Sequence, residues 1–429
     1  MTTNMTDSLK KRFLSTAGFF PAVAMLIMGL LAQPASAQKK LKIFAFYPDW
    51  NKLTGVTNEQ LDRLTHVIYF SIPPPKDGNV TDVYVASKLD GQSLIEVVDR
   101  GGPRGVKVLL GVGGAAMGGV NPSLFFPDLA KDATARTKFA TTIAKFCRDN
   151  GLGGIDIDWE FPSSSGADLT NLGLLLDEVR KAFSTDLIVT LSINPEITYG
   201  KAALDKANDV LVMSYDNSPP TTIQAEKDMT KVAGIVTDKV KLSLGVPFYG
   251  RIGWPGGAPL EYRNIVKANP TLSPTADQVG NYTFNGTTTL AAKTDIVINN
   301  GYGGLMIWEI TSDHKDTPAG RLLSAMYNEI LAKGAVLDKR PTTFVRRRPA
   351  TLMPLLQVEG NLLKLSAVSG GKHRLTLHSP SGRVMRMADA EALPGGSLTW
   401  SVPDLVGGAY FYEIQGGTAV FKGSLRIGQ

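Results

Sequence analysis

The sequence predicts an α/β protein, a (β/α)8 TIM barrel followed by a small all-β sandwich domain. Three observations predict it. Eight short runs rich in Val, Ile and Leu alternate with amphipathic stretches between residues 41 and 333. The first run ends in Phe46-Tyr47-Pro48-Asp49-Trp50, aromatic where a doubly wound sheet more often carries a glycine-rich phosphate turn. From Leu355 the pattern changes to short β runs punctuated by Gly and Pro. At 429 residues the chain has room for one large domain and a smaller one.

The first segment stands outside the fold. Lys10, Lys11 and Arg12 precede an apolar run from Phe13 to about Leu31, and Ala35-Ser36-Ala37 supplies small residues at signal-peptidase spacing. Pro21 inside the run, and the cleavage site after it, favour a cleaved signal over a membrane anchor. Residues 1–37 are therefore read as a signal peptide cut after Ala37. The mature protein would be secreted or at the cell surface, with no stable membrane span.

The barrel is assigned to residues 38–336. Its strands are expected at Lys42–Tyr47, His66–Ser71, Val106–Val112, Gly154–Glu160, Leu187–Ile193, Val210–Tyr215, Lys241–Pro247 and Gly304–Ile310. Near-continuous aliphatic runs are what a parallel sheet covered on both faces requires. Helical periodicity places helices at Arg136–Asp149, Leu169–Phe183, Thr222–Val236, Thr288–Asn299 and Gly320–Lys333. Residues 337–354, rich in Pro and Arg, read as a linker. Residues 355–429 read as the sandwich, with strands at Leu362–Val368, Arg374–His378, Arg383–Met387, Leu398–Val402, Ala409–Gln415 and Ala419–Ile427.

Composition narrows the function. The formal charge of +6 is spread along the chain, apart from Arg346-Arg347-Arg348 in the linker. No aromatic-interleaved basic patch occurs, which argues against nucleic acid as a partner. The four histidines, His66, His314, His373 and His378, lack metal-ligand spacing, so no metal and no cofactor is expected. The single cysteine, Cys147, excludes an intrachain disulfide and falls on the apolar face of a helical pattern.

The most informative segment is Gly153-Gly154-Ile155-Asp156-Ile157-Asp158-Trp159-Glu160-Phe161-Pro162. Side chains alternate along a strand, so Asp156, Asp158 and Glu160 share one face while Ile155, Ile157 and Trp159 share the other. Like-charged groups this close resist joint ionisation. A buried Asp156 is expected to share a proton with Asp158, and the row to raise the pKa of Glu160. Glu160 ends the fourth strand, where such barrels place their active sites. Asp158 lies roughly 7 Å deeper. A carboxyl kept protonated suits a general acid, as glycoside hydrolysis needs.

The segment resembles the signature of family 18 glycoside hydrolases, the chitinases and their relatives. Leu109-Leu110-Gly111-Val112-Gly113-Gly114 looks like that family's third-strand motif, and Met213-Ser214-Tyr215-Asp216 like its sixth. Gly245-Val246-Pro247-Phe248-Tyr249-Gly250-Arg251 and Gly303-Gly304-Leu305-Met306-Ile307-Trp308-Glu309 look like the seventh and eighth. The resemblance implies four catalytic residues. They are Glu160 as proton donor, Asp158 as orienter of the substrate's N-acetyl group, Asp156 as its deeper proton partner, and Tyr215 as hydrogen-bond donor to the acetamido carbonyl. It implies substrate binding by Trp308 as the floor under the sugar, with Tyr47, Met213 and Asp216 lining the pocket. Trp50, Trp254 and Phe70 are further candidates for a groove. The implied reaction is retaining, substrate-assisted hydrolysis of β-1,4-linked N-acetylglucosamine, with chitin or its oligosaccharides as partner. An endo-β-N-acetylglucosaminidase acting on N-glycans and a non-catalytic chitin-binding lectin are the alternatives. Retention of Glu160 speaks against the lectin.

Two departures qualify the resemblance. Gly153 stands where the signature usually begins with an acid. The span from residue 248 to 302 is short for the full insertion that deepens the groove in many processive chitinases, which implies an open cleft and endo-type cleavage. The sandwich has two readings. Ser379–Val384, Gly408–Tyr412 and the last strand resemble the sorting domains of type IX secretion, which would make secretion machinery a partner. The other reading is a carbohydrate-binding face, for which Trp400, Tyr410 and Tyr412 are the candidates.

Overall fold

A computed structural model describes residues 38–339 and 356–427, apart from short stretches at 52–54, 90, 116–120, 165, 255, 315–319, 360–361, 367–370, 393–396, 403–406 and 417–418. The signal segment and all but the first residues of the linker, with its arginine triplet, lie outside the described residues. Eight parallel strands form the barrel: β1 (Lys40–Pro48), β2 (His66–Ile72), β3 (Lys107–Gly113), β4 (Gly154–Asp158), β5 (Ile188–Ile193), β6 (Asp209–Val212), β7 (Leu242–Pro247) and β8 (Gly304–Trp308). They are hydrogen-bonded in chain order, and β1 pairs with β8 from Lys42↔Gly304 to Ala45↔Ile307, which closes the ring.

The alternation of each strand builds two cores. Ile43 and Ala45 of β1, Ile155 and Ile157 of β4, and Leu242, Leu244 and Val246 of β7 point outward into the layer between sheet and helices. Phe44, Phe46, Ile68, Leu109, Leu211 and Met306 point inward and fill the barrel. Each such side chain, fully buried, contributes about 1.5–3 kcal/mol of transfer free energy. The helices follow the sequence periodicity closely. The helix Ala133–Asp149 buries Phe139, Ile143, Phe146 and Cys147, and the Asp132 side chain caps it by accepting from Ala135 N. Cys147 is a core residue whose thiol burial holds above its usual titration range. At the lower end of the barrel an ion pair between Lys42 and Asp209 closes the interior.

Two strand ends differ from the sequence expectation. The ladder of β4 stops at Asp158 and that of β6 at Val212, so Glu160, Met213 and Tyr215 lie just past the last paired residues. Hydrophobic alternation continues into these segments, but β3 and β5 end level with Asp158 and Val212, while β7 runs on to Pro247 beside β8. Between β7 and β8 the described chain carries a small antiparallel sheet of four short strands, Tyr249–Ile252, Leu260–Glu261, Gln278–Val279 and Tyr282–Thr283, the helix Tyr262–Ala268 and the barrel helix Thr287–Asn300.

The C-terminal residues form β9 (Leu356–Glu359), β10 (Leu362–Ser366), β11 (Gly371–His378), β12 (Val384–Ala392), β13 (Ser397–Ser401), β14 (Gly408–Gly416) and β15 (Ala419–Ile427). Two antiparallel sheets result, β9-β10-β13 and β12-β11-β14-β15. Their shared core is Leu363, Leu365, Leu375, Leu377, Leu398, Trp400, Val402, Tyr412 and Ile414. Trp400 is 2% exposed, Tyr410 5% and Tyr412 8%, so the aromatics considered for a sugar-binding face are packing residues instead. The alternation puts Phe411, not its two tyrosine neighbours, on the open face.

Candidate active site

On β4 the apolar side chains Ile155 and Ile157 anchor the strand to the surrounding helices, and Trp159 stacks on Phe126 with ring centroids 5.1 Å apart. The opposite face turns Asp156 and Asp158 into the barrel, 0% and 2% exposed. Carboxylates in such a place need hydrogen bonds or protons. Register supplies the first: Asp156 lies opposite Thr190 of β5, and Asp158 opposite Ser192. Thr190 Oγ1 donates to Asp156 Oδ1 at 2.5 Å and Ser192 Oγ to Asp156 Oδ2 at 3.0 Å.

Burial is the largest influence on all three acids. It pushes Asp156 up to about 6 against the two hydroxyls, which favour its charged form. It pushes Asp158 well above the usual carboxylate range, reinforced by the charges of Glu160 and Asp156 and by a hydrogen bond with Glu160. It pushes Glu160 up to about 7, although the hydrogen bonds from Asp158 and from the Ala115 N–H both favour the carboxylate. The sequence argument expects Asp156 and Asp158 to share the proton. Here the hydroxyls of β5 satisfy Asp156, and the hydrogen bond of Asp158 runs to Glu160. Loss of water, more than proton sharing below, is what raises Glu160.

Other strands bring the remaining residues to the same end. Tyr215 is buried, and among the described residues its hydroxyl meets only the weak acceptor Met306 Sδ, at 3.6 Å. Its ring lies so close to β7 that a Cβ on Gly245 would stand 2.9 Å from it and 2.5 Å from Val212 O. Trp308 ends β8 and is partly exposed, propped edge-on against Phe70 at 5.0 Å and tilted on Phe46 at 5.2 Å. Met213 packs in the same cluster. Asp216 has a positive φ of 70°, and its Oδ1 accepts from Tyr249 Oη at 2.6 Å and Arg251 Nε at 2.9 Å. Trp50 is 51% exposed and meets Phe70 edge-on at 6.5 Å. Trp254 stacks on Tyr249 and donates its indole N–H to Thr283 O at 3.1 Å.

Tyr47 does not join them. It is fully buried in the layer between sheet and helices, beside Tyr69 at 5.6 Å. Parity on β1 decides this: Phe44 and Phe46 face the interior, so Tyr47 must face away. Sequence reasoning also passed over residues that matter here. Thr190 and Ser192 were discoverable, being polar at alternate positions of a strand that neighbours the acids. Tyr249 and Arg251 lay in a quoted motif without a role. Ser123, which accepts from Glu160 N at 2.7 Å, left no signal in the sequence. Among the described residues no group of three or more His, Cys, Asp and Glu could hold a metal ion, and no helix is long and apolar enough to cross a membrane.

The sequence model for glycosyl hydrolases family 18 matches residues 42–313. Chitinase 1 of Aphanocladium album is 26% identical over 274 residues, 49% of this chain and 63% of that protein. A class V chitinase of Arabidopsis thaliana is 27% identical over 169 residues, 39% of this chain and 42% of that protein. The chain thus spans well under two thirds of the second relative and slightly under two thirds of the first. The crystal structure of a chitinase from Bacteroides thetaiotaomicron superposes with a TM-score of 0.60 at 20% identity, covering 69% of this chain and 98% of that one.

Proposed function

The chain belongs to glycosyl hydrolases family 18, and from that footing we propose that it is a secreted chitinase that cleaves β-1,4-linked N-acetylglucosamine with retention of configuration. One observation carries the reading: Glu160 sits half-buried at the mouth of the barrel with its carboxyl raised to about 7, beside the aromatic cluster that holds Tyr215 and Trp308. A carboxyl that titrates there holds a proton in about half of the molecules at neutral pH. It can pass that proton to the glycosidic oxygen as the bond breaks.

The rest of the site suits substrate-assisted chemistry. The indole face of Trp308 fits the C–H-lined face of the sugar in the cleavage subsite. Asp158 orients the acetamido group by accepting its N–H and directing its oxygen at the anomeric carbon. Tyr215 donates to that oxygen, since its hydroxyl has only a thioether to leave. The acetamido oxygen bonds to the anomeric carbon, the leaving oxygen takes the proton of Glu160, and an oxazolinium ion forms. Glu160, now a carboxylate, removes a proton from the water that opens the ring. Asp156, held by Thr190 and Ser192, tempers the charge beneath Asp158. Met213 and Asp216 line the pocket, and the small sheet after β7 leaves the cleft open enough for cleavage within a chain.

Soluble N-acetylglucosamine oligomers and chitin polymer, given to wild type and Glu160→Gln, test the proposal. We expect mixed oligomers from the polymer and a loss of about a hundredfold or more in kcat/KM for the variant. Equal turnover by both enzymes would refute the acid role, and release of disaccharide alone from chain ends would refute the endo mode. Buried Trp400, Tyr410 and Tyr412 turn the reading of the sandwich from sugar binding toward export.

A further inference from the structure

The loop after β3 holds Glu160 at two points. At its near end, Gly113 has a φ of 104°, and a Cβ there would stand 2.1 Å from Asp158 O. Only glycine permits this approach, and through it Gly114 N donates to Asp158 O at 2.7 Å. The next residue, Ala115, bonds its N–H to the Glu160 carboxylate. At the far end lies the 3₁₀ turn Pro122–Phe125, whose Ser123 N donates to Asn121 Oδ1 at 2.9 Å. The Ser123 side chain is 2% exposed. Its hydroxyl accepts from Glu160 N at 2.7 Å and donates to Gly114 O at 2.9 Å, with Asp158 O at 3.2 Å. Glu160 follows the last ladder pair of β4, where no adjacent strand offers its amide an acceptor.

We propose that Ser123 is a positioning residue for the acid, its hydroxyl fixing the peptide at residue 160 so that the Glu160 carboxyl meets the leaving oxygen. The inference rests on the reading of Glu160 as proton donor. Without the hydroxyl, the Glu160 N–H is left unpaired in a partly buried place, and the peptide turns to find another acceptor. The carboxyl moves with it. Misplacement by about 1 Å costs on the order of a hundredfold in rate.

Leaving-group dependence tests this. An oligosaccharide leaves as an alkoxide unless it is protonated, whereas a nitrophenyl glycoside of an N-acetylglucosamine oligomer releases nitrophenolate with little help. For Ser123→Ala we expect kcat/KM on the unsubstituted oligomer to fall about tenfold to a hundredfold, and kcat/KM on the aryl glycoside to stay within about threefold. The ratio of the two is independent of how much enzyme is folded. Ser123→Cys, which keeps the shape with a poor acceptor, should show a smaller split and serves if the alanine variant does not fold. Equal loss on both substrates, or loss on neither, would overturn the proposal. Glu160→Gln, measured alongside, separates the two ideas: full activity there on the unsubstituted oligomer would remove the acid role itself.

Discussion

At the scale of the residue, Glu160 is set by what surrounds it rather than by its own chemistry. Its carboxyl titrates at about 7, against 4.5 for the free side chain, chiefly because burial penalises the charge. The folded chain therefore holds this proton more tightly than the unfolded one. By linkage, the stabilisation is fully present below about pH 4.5 and is lost as pH rises through about 7. The same ionisation should end activity on the alkaline side. Glu160→Gln cannot ionise, so its melting temperature should gain on that of wild type between pH 5 and pH 8, read by calorimetry. A gain that shrinks over that range would show that burial is not what shifts the group. The identity of this acid was legible from its place at the end of an alternating row. The cause of its pKa was not, because desolvation depends on residues from every other strand.

At the scale of the element, the site works because strands stop at slightly different heights. The acids rise on β4, Thr190 and Ser192 face them from β5, and Tyr215 follows β6 under the close approach of β7. Gly245 makes that approach possible, since any Cβ would meet Val212 O at 2.5 Å and the Tyr215 ring at 2.9 Å. The first contact is backbone and cannot yield. Gly245→Ala should lower stability by about 1–3 kcal/mol and displace the phenol, so that kcat/KM falls further than the folded fraction does. An unchanged melting curve with full activity would mean that β6 and β7 can part at no cost. The eight barrel strands and the five expected helices were readable to within a few residues, because a strand covered on both faces and an amphipathic helix leave different periodicities, whereas the helix Gly91–Gly101 and the strand Leu356–Glu359 were not among the expected elements. Parity was harder. Tyr47 lies one position out of phase with Phe46, and from Ile43 to Pro48 β1 is apolar and buried on both faces, so that half of the strand shows no alternation to read.

At the scale of the whole molecule, barrel and sandwich have separate hydrophobic cores, Leu41 to Ala335 in one and Leu363 to Ile414 in the other. The candidate acids and Tyr215 and Trp308 all belong to the first. Removing residues 340–429 should leave turnover of soluble oligomers within about twofold and abolish export from the producing cell, measured as activity in the medium against activity retained. Retained export with lost binding to insoluble polymer would return the sandwich to a carbohydrate-binding role, despite its buried aromatics.

The sequence by itself determined the succession of strands and helices, the change of architecture near residue 355, and the acids at the end of the fourth strand. These are local properties: periodicity, turn residues and spacing along one segment. Only the tertiary structure decided which hydroxyls hold Asp156, that Asp158 bonds to Glu160, that Tyr47 faces away, and that Ser123 secures the Glu160 amide. Those facts depend on which strands end beside which others, and closing the ring of eight strands is what sets them.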